Sequence, residues 1–190
     1  CGVKVPIYAF PQPIDITEGD KDFGKYVIPN FKDGFVFYSI FQWIERKNPK
    51  ALLTTYWKTF TNRNDVVLLL KTYRITYGKS EFEEIRNEVA NWKRELGLNH
   101  YPKTYIIPRL MTHRQLMRLH QTGDCYVSAD HGEGWSRPLQ EALLMEKLAI
   151  TTAHGGIHDY LSDDYYYTIR VVFAPVKRVS WIPLYGEDQQ

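Results

Sequence analysis

The sequence predicts an α/β chain: a doubly wound, Rossmann-like parallel sheet with helices on both faces. Three observations carry that expectation. Short apolar, β-rich runs alternate with longer segments of helical period, the order that parallel strands joined by crossover helices require. The most continuous run, Val66 to Leu70 (VVLLL), is apolar at every position, so it reads as a central strand covered on both sides. A glycine-containing loop then lies between a strand and a proline-initiated helix late in the chain, the unit that offers a helix N-terminus to an anion. With 190 residues, 44% of them hydrophobic, the chain can bury one sizeable core.

Residues 1–34 read as a connector with a first strand. Val3 to Phe10 is an apolar run broken by Pro6, and Pro11 to Asp15 is stiff enough to suit a passage between domains. Gly19 to Gly34 is polar and mixed and reads as loop. The domain itself is expected over residues 35–190. Phe35 to Ile40 (FVFYSI) is a buried strand, and Pro49 opens a helix that places Leu53, Tyr56, Trp57 and Phe60 on one side. Arg46 and Lys47 fall at the tip of that helix, where a cation opposes the macrodipole. Either an anion neutralises them or they are solvated surface cations. Lys71 ends the VVLLL strand on the rim where open α/β sheets bind ligands, although a lysine there is usually just exposed.

Ser80 to Leu96 reads as a helix with Phe82, Ile85, Val89, Trp92 and Leu96 on its core face, and Gly97 ends it. Thr104 to Ile107 is a short strand. Thr112 caps the helix that turns Leu116 and Leu119 inward. Cys125 to Val127 is the next strand, followed by Gly132 and Gly134 in a loop. Ser136 or Arg137 then caps a helix with Pro138 in its first turn and Leu139, Ala142, Leu143 and Glu146 on one face. Leu148 to Thr152 is a strand, Ile157 to Ser162 a short helix, and Tyr165 to Phe173 a partly alternating strand. The remainder has no clear period.

The net charge of +2, spread along the chain, gives no footprint for nucleic acid. No apolar run approaches the roughly twenty residues that span a bilayer. The two cysteines, Cys1 and Cys125, are not expected to pair, which favours a reducing, cytoplasmic setting, peripheral to a membrane at most. His131, His154, His158 and Asp159 form the only set with metal-like spacing. The glycines between His154 and His158 argue against a helix there, so no metal ligand is assigned.

The chemistry gathers in residues 128–157, SADHGEGWSRPLQEALLMEKLAITTAHGGI. Glu133 lies in the glycine loop and Glu141 one turn into the helix, with seven residues between them, so that the two carboxylates reach one mouth from different heights. With His131-Gly132-Glu133-Gly134-Trp135, Pro138, Glu141-Ala142 and the later Thr151-Thr152-Ala153-His154-Gly155-Gly156, this run resembles the donor site of GT-B glycosyltransferases that carry a Glu, seven residues, Glu signature in their C-terminal half. The resembled family has a Gly-Arg after the first strand. Here Ser39 to Phe41 stand in that region, so the arginine's role is lost or passes to Arg46, while Lys47 matches the family's lysine.

What the resemblance implies is a retaining transferase whose donor is a nucleoside-diphosphate sugar and which needs no metal. Glu133 would be the catalytic carboxylate, holding hydroxyls of the donor sugar, and Glu141 would accept from the ribose. Arg46, Lys47 and the amides around Trp135, Ser136 and Arg137 would take the diphosphate. His131 and Gly134 would line the donor site, with Arg109 and Leu110 against the base. The acceptor domain would be an N-terminal half absent from this chain, as would the final crossing helices, so the fragment is expected to bind nucleotide weakly and to transfer little alone. The rival readings are a non-catalytic sugar- or nucleotide-binding module and another GT-B enzyme such as an epimerase or a phosphorylase.

Overall fold

The computed structural model describes residues 4–8, 10, 12–14, 22–152, 154–161 and 166–173. Its elements are β1 (Phe35–Gln42), α1 (Pro49–Thr59), β2 (Val66–Tyr73), α2 (Lys79–Leu96), β3 (Lys103–Ile107), α3 (His113–Thr122), β4 (Cys125–Ser128), α4 (Arg137–Leu144), β5 (Leu148–Thr151) and β6 (Tyr166–Thr168). The described strands form one sheet in the order β3-β2-β1-β4-β5-β6, parallel throughout. The predicted fold class is therefore the observed one. Strand order reverses between β1 and β4, and in an open α/β sheet that switch point is where the loops part to admit a ligand.

Alternate residues of each strand feed two cores. Val36, Tyr38, Val67, Leu69, Tyr126 and Ala149 face Leu139 and Ala142 of α4. Phe41, Val66, Leu68 and Leu70 face Leu52, Leu53, Tyr56 and Trp57 of α1 and Ile85 of α2. Leu68, Leu69 and Leu70 are at most 1% exposed, and each such burial contributes roughly 1.5–3 kcal/mol relative to exposure. Unbroken apolarity in β2 thus reports cover on both faces, as predicted. The middle of the sheet belongs to β1 and β4, because β2 has only the short β3 beyond it.

Local signals place most boundaries. Pro49 starts α1, Gly97 ends α2 in the left-handed conformation (φ 59°), and Thr112 caps α3 in a reciprocal box with Gln115. Four expectations need correcting. The described part of the supposed first strand, residues 4–8 and 10, forms no strand, and Val5 and Phe10 are 70% and 86% exposed. Pro6, which cannot donate to a ladder, stands within it. Glu146 lies past the end of α4 at φ 58°, off the face assigned to it. The helix expected from Ile157 is a single 3-10 turn, Gly156–Asp159. The last predicted strand shrinks to the three residues of β6, and Tyr165 lies outside the described residues.

Residues 22–34 are loop, as expected, yet they are fastened to α3. The Phe23 and Tyr26 amides donate to Gln121 Oε1 (2.7 Å) and Thr122 Oγ1 (2.6 Å), and Ile28 enters the core.

Candidate functional site

Two loops meet at the switch point. After β1 the chain makes a 3-10 turn, Glu45–Lys47, and Asn48 then takes the left-handed conformation (φ 50°), which asparagine tolerates, with its side chain accepting from the Ala51 amide at 3.4 Å. That turn aims Arg46 and Lys47 at the loop after β4. The His131 amide donates to the Arg46 carbonyl (2.8 Å), and Arg46 Nη1 donates to the Gly132 carbonyl (2.5 Å) and lies 3.4 Å from Glu133 Oε2. Lys47 Nζ donates to Asp130 Oδ2 at 2.7 Å and to Glu133 Oε2.

This cluster is largely withdrawn from water: the side chains of Lys47, Asp130 and Glu133 are 12%, 6% and 19% exposed. Burial pushes the Asp130 carboxyl above the usual range, and Lys47 opposes it without cancelling it. Burial also pushes Glu133 up, but the hydrogen bond and charge of Lys47, with Arg46 behind them, outweigh it and hold that carboxyl below the usual range.

Close backbone contact fixes the glycine loop. A Cβ on Gly155 would come within 2.4 Å of the Glu133 carbonyl oxygen, and one on Gly156 within 2.1 Å of the Gly134 carbonyl oxygen. The pair of glycines after β5 therefore lets that loop lie against the one bearing Glu133. Tyr160 OH, from the same segment, donates to the Trp135 and Ser136 carbonyls (2.5 and 3.2 Å). Trp135 Nε1 donates to Gln140 Oε1 (2.7 Å). The Gly134 amide donates back to Glu133 Oε1 (3.1 Å).

Ser136 is the N-cap of α4, in the left-handed conformation (φ 54°) and without a side-chain capping bond. Leu139 and Gln140 N–H both turn back to the Ser136 carbonyl (3.0 and 3.1 Å), and Pro138 has no N–H. The open donors at the helix tip narrow to the amide of Arg137 and those just before it.

Glu141 faces a different neighbourhood from Glu133. Its residue is 5% exposed; Oε1 accepts from Arg137 Nε (3.1 Å), and Oε2 lies 3.4 Å from Nε2 of the fully buried His120. His120 Nδ1 in turn meets Tyr38 OH at 3.0 Å. The two carboxylates therefore have separate partners in the folded chain. Arg46 and Lys47 meet Glu133, while His120 of α3 and Arg137 of α4 meet Glu141.

Burial holds the His120 imidazole below its ordinary value, against the opposing pull of Glu141. Folded His120 accepts a proton less readily than unfolded His120. Its contribution to stability is thus present above about pH 6.5 and is lost as pH falls below it, by at most about 1.4 kcal/mol per pH unit. Urea unfolding across that range is expected to show this slope, and His120→Gln to remove it; an unchanged slope in the variant contradicts the assignment.

A cavity of about 340 Å³ opens at the ends of β1 and β2, bounded by Gln42, Arg46, Lys47, Lys71, Met111 and Pro138 among others. Of the residues assigned to the site from sequence, Arg46 and Lys47 line it, and so does Lys71, which the sequence placed on the ligand-binding rim. His131 lines a second, apolar cavity of about 580 Å³ beside α1. Arg109 lies over the Tyr26 ring (5.9 Å), Leu110 is 71% exposed, and the wall next to them is made by Met111. Sequence reasoning passed over Asp130, whose place at the end of a core strand beside a glycine loop was the available signal. Lys71, weighed from the sequence as a rim ligand against an ordinary exposed lysine, is 4% exposed. Among the described residues no group of three His, Cys, Asp or Glu is arranged to hold a metal ion, and no helix is long and apolar enough to cross a membrane.

No protein-family model and no curated protein matches the sequence. Solved structures do match in fold. HepE of Anabaena in complex with UDP-glucose aligns over 71% of this chain and 35% of its own, at 17% identity and TM-score 0.52. The C-terminal domain of the glycosyl transferase group 1 family protein LpcC from Francisella tularensis aligns over 72% and 69%, at 18% identity and TM-score 0.55. A UDP-forming trehalose-phosphate synthase from Burkholderia xenovorans aligns over 72% and 34%, at 10% identity and TM-score 0.59. The chain thus spans about a third of the length of HepE and of the synthase. Its fold is that of the C-terminal, Rossmann-like domain of GT-B glycosyltransferases.

Proposed function

We propose that this chain is the donor-binding domain of a glycosyltransferase that takes a nucleoside-diphosphate sugar. The observation that carries the reading is the meeting, at the switch point of a β3-β2-β1-β4-β5-β6 sheet, of a cationic turn (Arg46, Lys47) with an acidic glycine loop (Asp130, Glu133) beside a cavity. Similarity in fold to HepE, solved with UDP-glucose, supports the choice of ligand.

Breaking the bond between sugar and diphosphate builds negative charge on the leaving group. Groups preorganised for that charge stabilise the transition state more than the ground state, and only such differential binding speeds the step. Here Arg46 and Lys47 in the turn after β1 and the amides entering α4 perform that task, with no step that calls for a metal ion. Glu133 holds hydroxyls of the donor sugar once the phosphates draw Arg46 and Lys47 toward themselves. Glu141 keeps Oε2 against His120, while its Oε1 is covered only by the half-exposed Arg137 side chain, so it is the oxygen free to turn to the ribose. Retention of anomeric configuration, and an acceptor bound by a second α/β half across the cleft, complete the proposal.

Calorimetric titration with UDP, GDP and ADP tests it. One of the three is expected to bind this chain weakly, and Glu141→Ala to weaken that binding about tenfold, the loss of a hydrogen bond to a charged group. No binding, or binding indifferent to the substitution, contradicts the reading.

A further inference from the structure

Lys71 ends the fully buried run of β2, in register with Ile40 of β1 and Ile107 of β3. Its ammonium lies 4.6 Å from the centre of the Tyr77 ring and 5.6 Å from that of Tyr73, two rings stacked 4.5 Å apart. Tyr77 holds the left-handed conformation (φ 61°), unusual and strained for an aromatic residue. No carboxylate among the described residues pairs with Lys71, and burial alone lowers its amine, to about 8. Ring faces recover only part of the desolvation cost of such a cation. The other two cations of the cavity are in the opposite condition: Lys47 is met by Asp130 and Glu133, and Arg46 by Gly132 and Glu133.

We propose that Lys71 is a further anion-binding side chain of this cleft, taking phosphate oxygens of the nucleoside diphosphate alongside Lys47, to which the family resemblance gives that role. The inference rests on the proposed function for the nucleotide, but not for the anion. Met111, Leu116 and Pro138 on the same cavity wall are apolar, leaving Lys71 the one buried, uncompensated charge there among the described residues.

An anion that settles on Lys71 raises its affinity for a proton, so binding above about pH 8 takes up protons. The other ionisable groups on the cavity wall are Arg46 and Lys47 from the turn after β1, and Tyr73 and Tyr77 from β2 and the turn that follows it. Burial moves Tyr77 upward, away from this range.

The test is calorimetry of the 190-residue chain with UDP, uridine and inorganic pyrophosphate near pH 8.5, in buffers of different ionisation enthalpy, alongside Lys71→Met and thermal melts. Lys71→Met is expected to weaken UDP and pyrophosphate about tenfold or more, to spare uridine and to abolish proton uptake. Its melting temperature should hold or rise, since an unpaired buried cation is replaced by an apolar chain of similar length. UDP affinity within about twofold of the parent, or persistent proton uptake, overturns the inference while leaving the proposed function standing. Pyrophosphate bound through Lys71 with UDP bound no better sinks the nucleotide reading and keeps the anion site. A chain that binds neither overturns both.

Discussion

Lys47→Met is expected to remove about 3–5 kcal/mol of stability, because it strips the partner from two acidic groups that the fold keeps from water. Asp130, 6% exposed, would be left without its cation, and Glu133 would keep only Arg46 at 3.4 Å as a cation, beside the Gly134 amide. The pH dependence identifies the cause. Burial already raises the Asp130 carboxyl, and losing Lys47 raises it further. A folded state that binds protons more tightly than the unfolded state gains stability as pH falls through the interval between the two affinities. Urea unfolding should therefore show the deficit at about pH 7 shrinking toward about pH 5. A deficit that is constant with pH, or smaller than about 1 kcal/mol, contradicts the buried cluster.

Gly156→Ala should be nearly as damaging, by a different route. The added methyl would meet the Gly134 carbonyl oxygen at 2.1 Å and the Trp135 ring at 3.4 Å, and main chain cannot yield as a flexible side chain can. Forced overpacking of this kind costs about 1–3 kcal/mol. The larger effect falls on the site, because the loop that must move carries Glu133. A displacement near 1 Å is enough to reduce transfer by roughly a hundredfold in an enzyme that depends on placement. In this chain alone, UDP affinity is expected to fall about tenfold or more while most of the melting transition survives. Unchanged affinity would show that the two loops do not support each other.

Most of the fold was legible in the sequence because its signals are local. Pro49, Gly97 and Thr112 mark boundaries that the structure keeps, and the two-sided cover of Leu68 to Leu70 follows from unbroken apolarity. The site was less legible, because which partner a charged side chain meets is decided between segments distant in sequence. Glu133 and Glu141 have only seven residues between them on the chain, yet Arg46 and Lys47 draw one carboxylate and His120 the other. Lys71 lies where a lysine is ordinarily exposed, and only the packing of Tyr73 and Tyr77 over it makes it a buried charge. The glycine pair after β5 matched a family pattern in sequence, but its contact with the Glu133 loop emerges only in three dimensions.

Mapping bound UDP onto the chain by backbone amide shifts in NMR addresses the central claim most directly. Saturation should move the signals of Arg46, Lys47, Lys71, Met111 and Arg137, at the ends of β1, β2 and β3 and the start of α4. Shifts confined instead to Ile169 to Val172 and the α1 face, around the apolar cavity, would place the ligand elsewhere and contradict a donor site at the switch point.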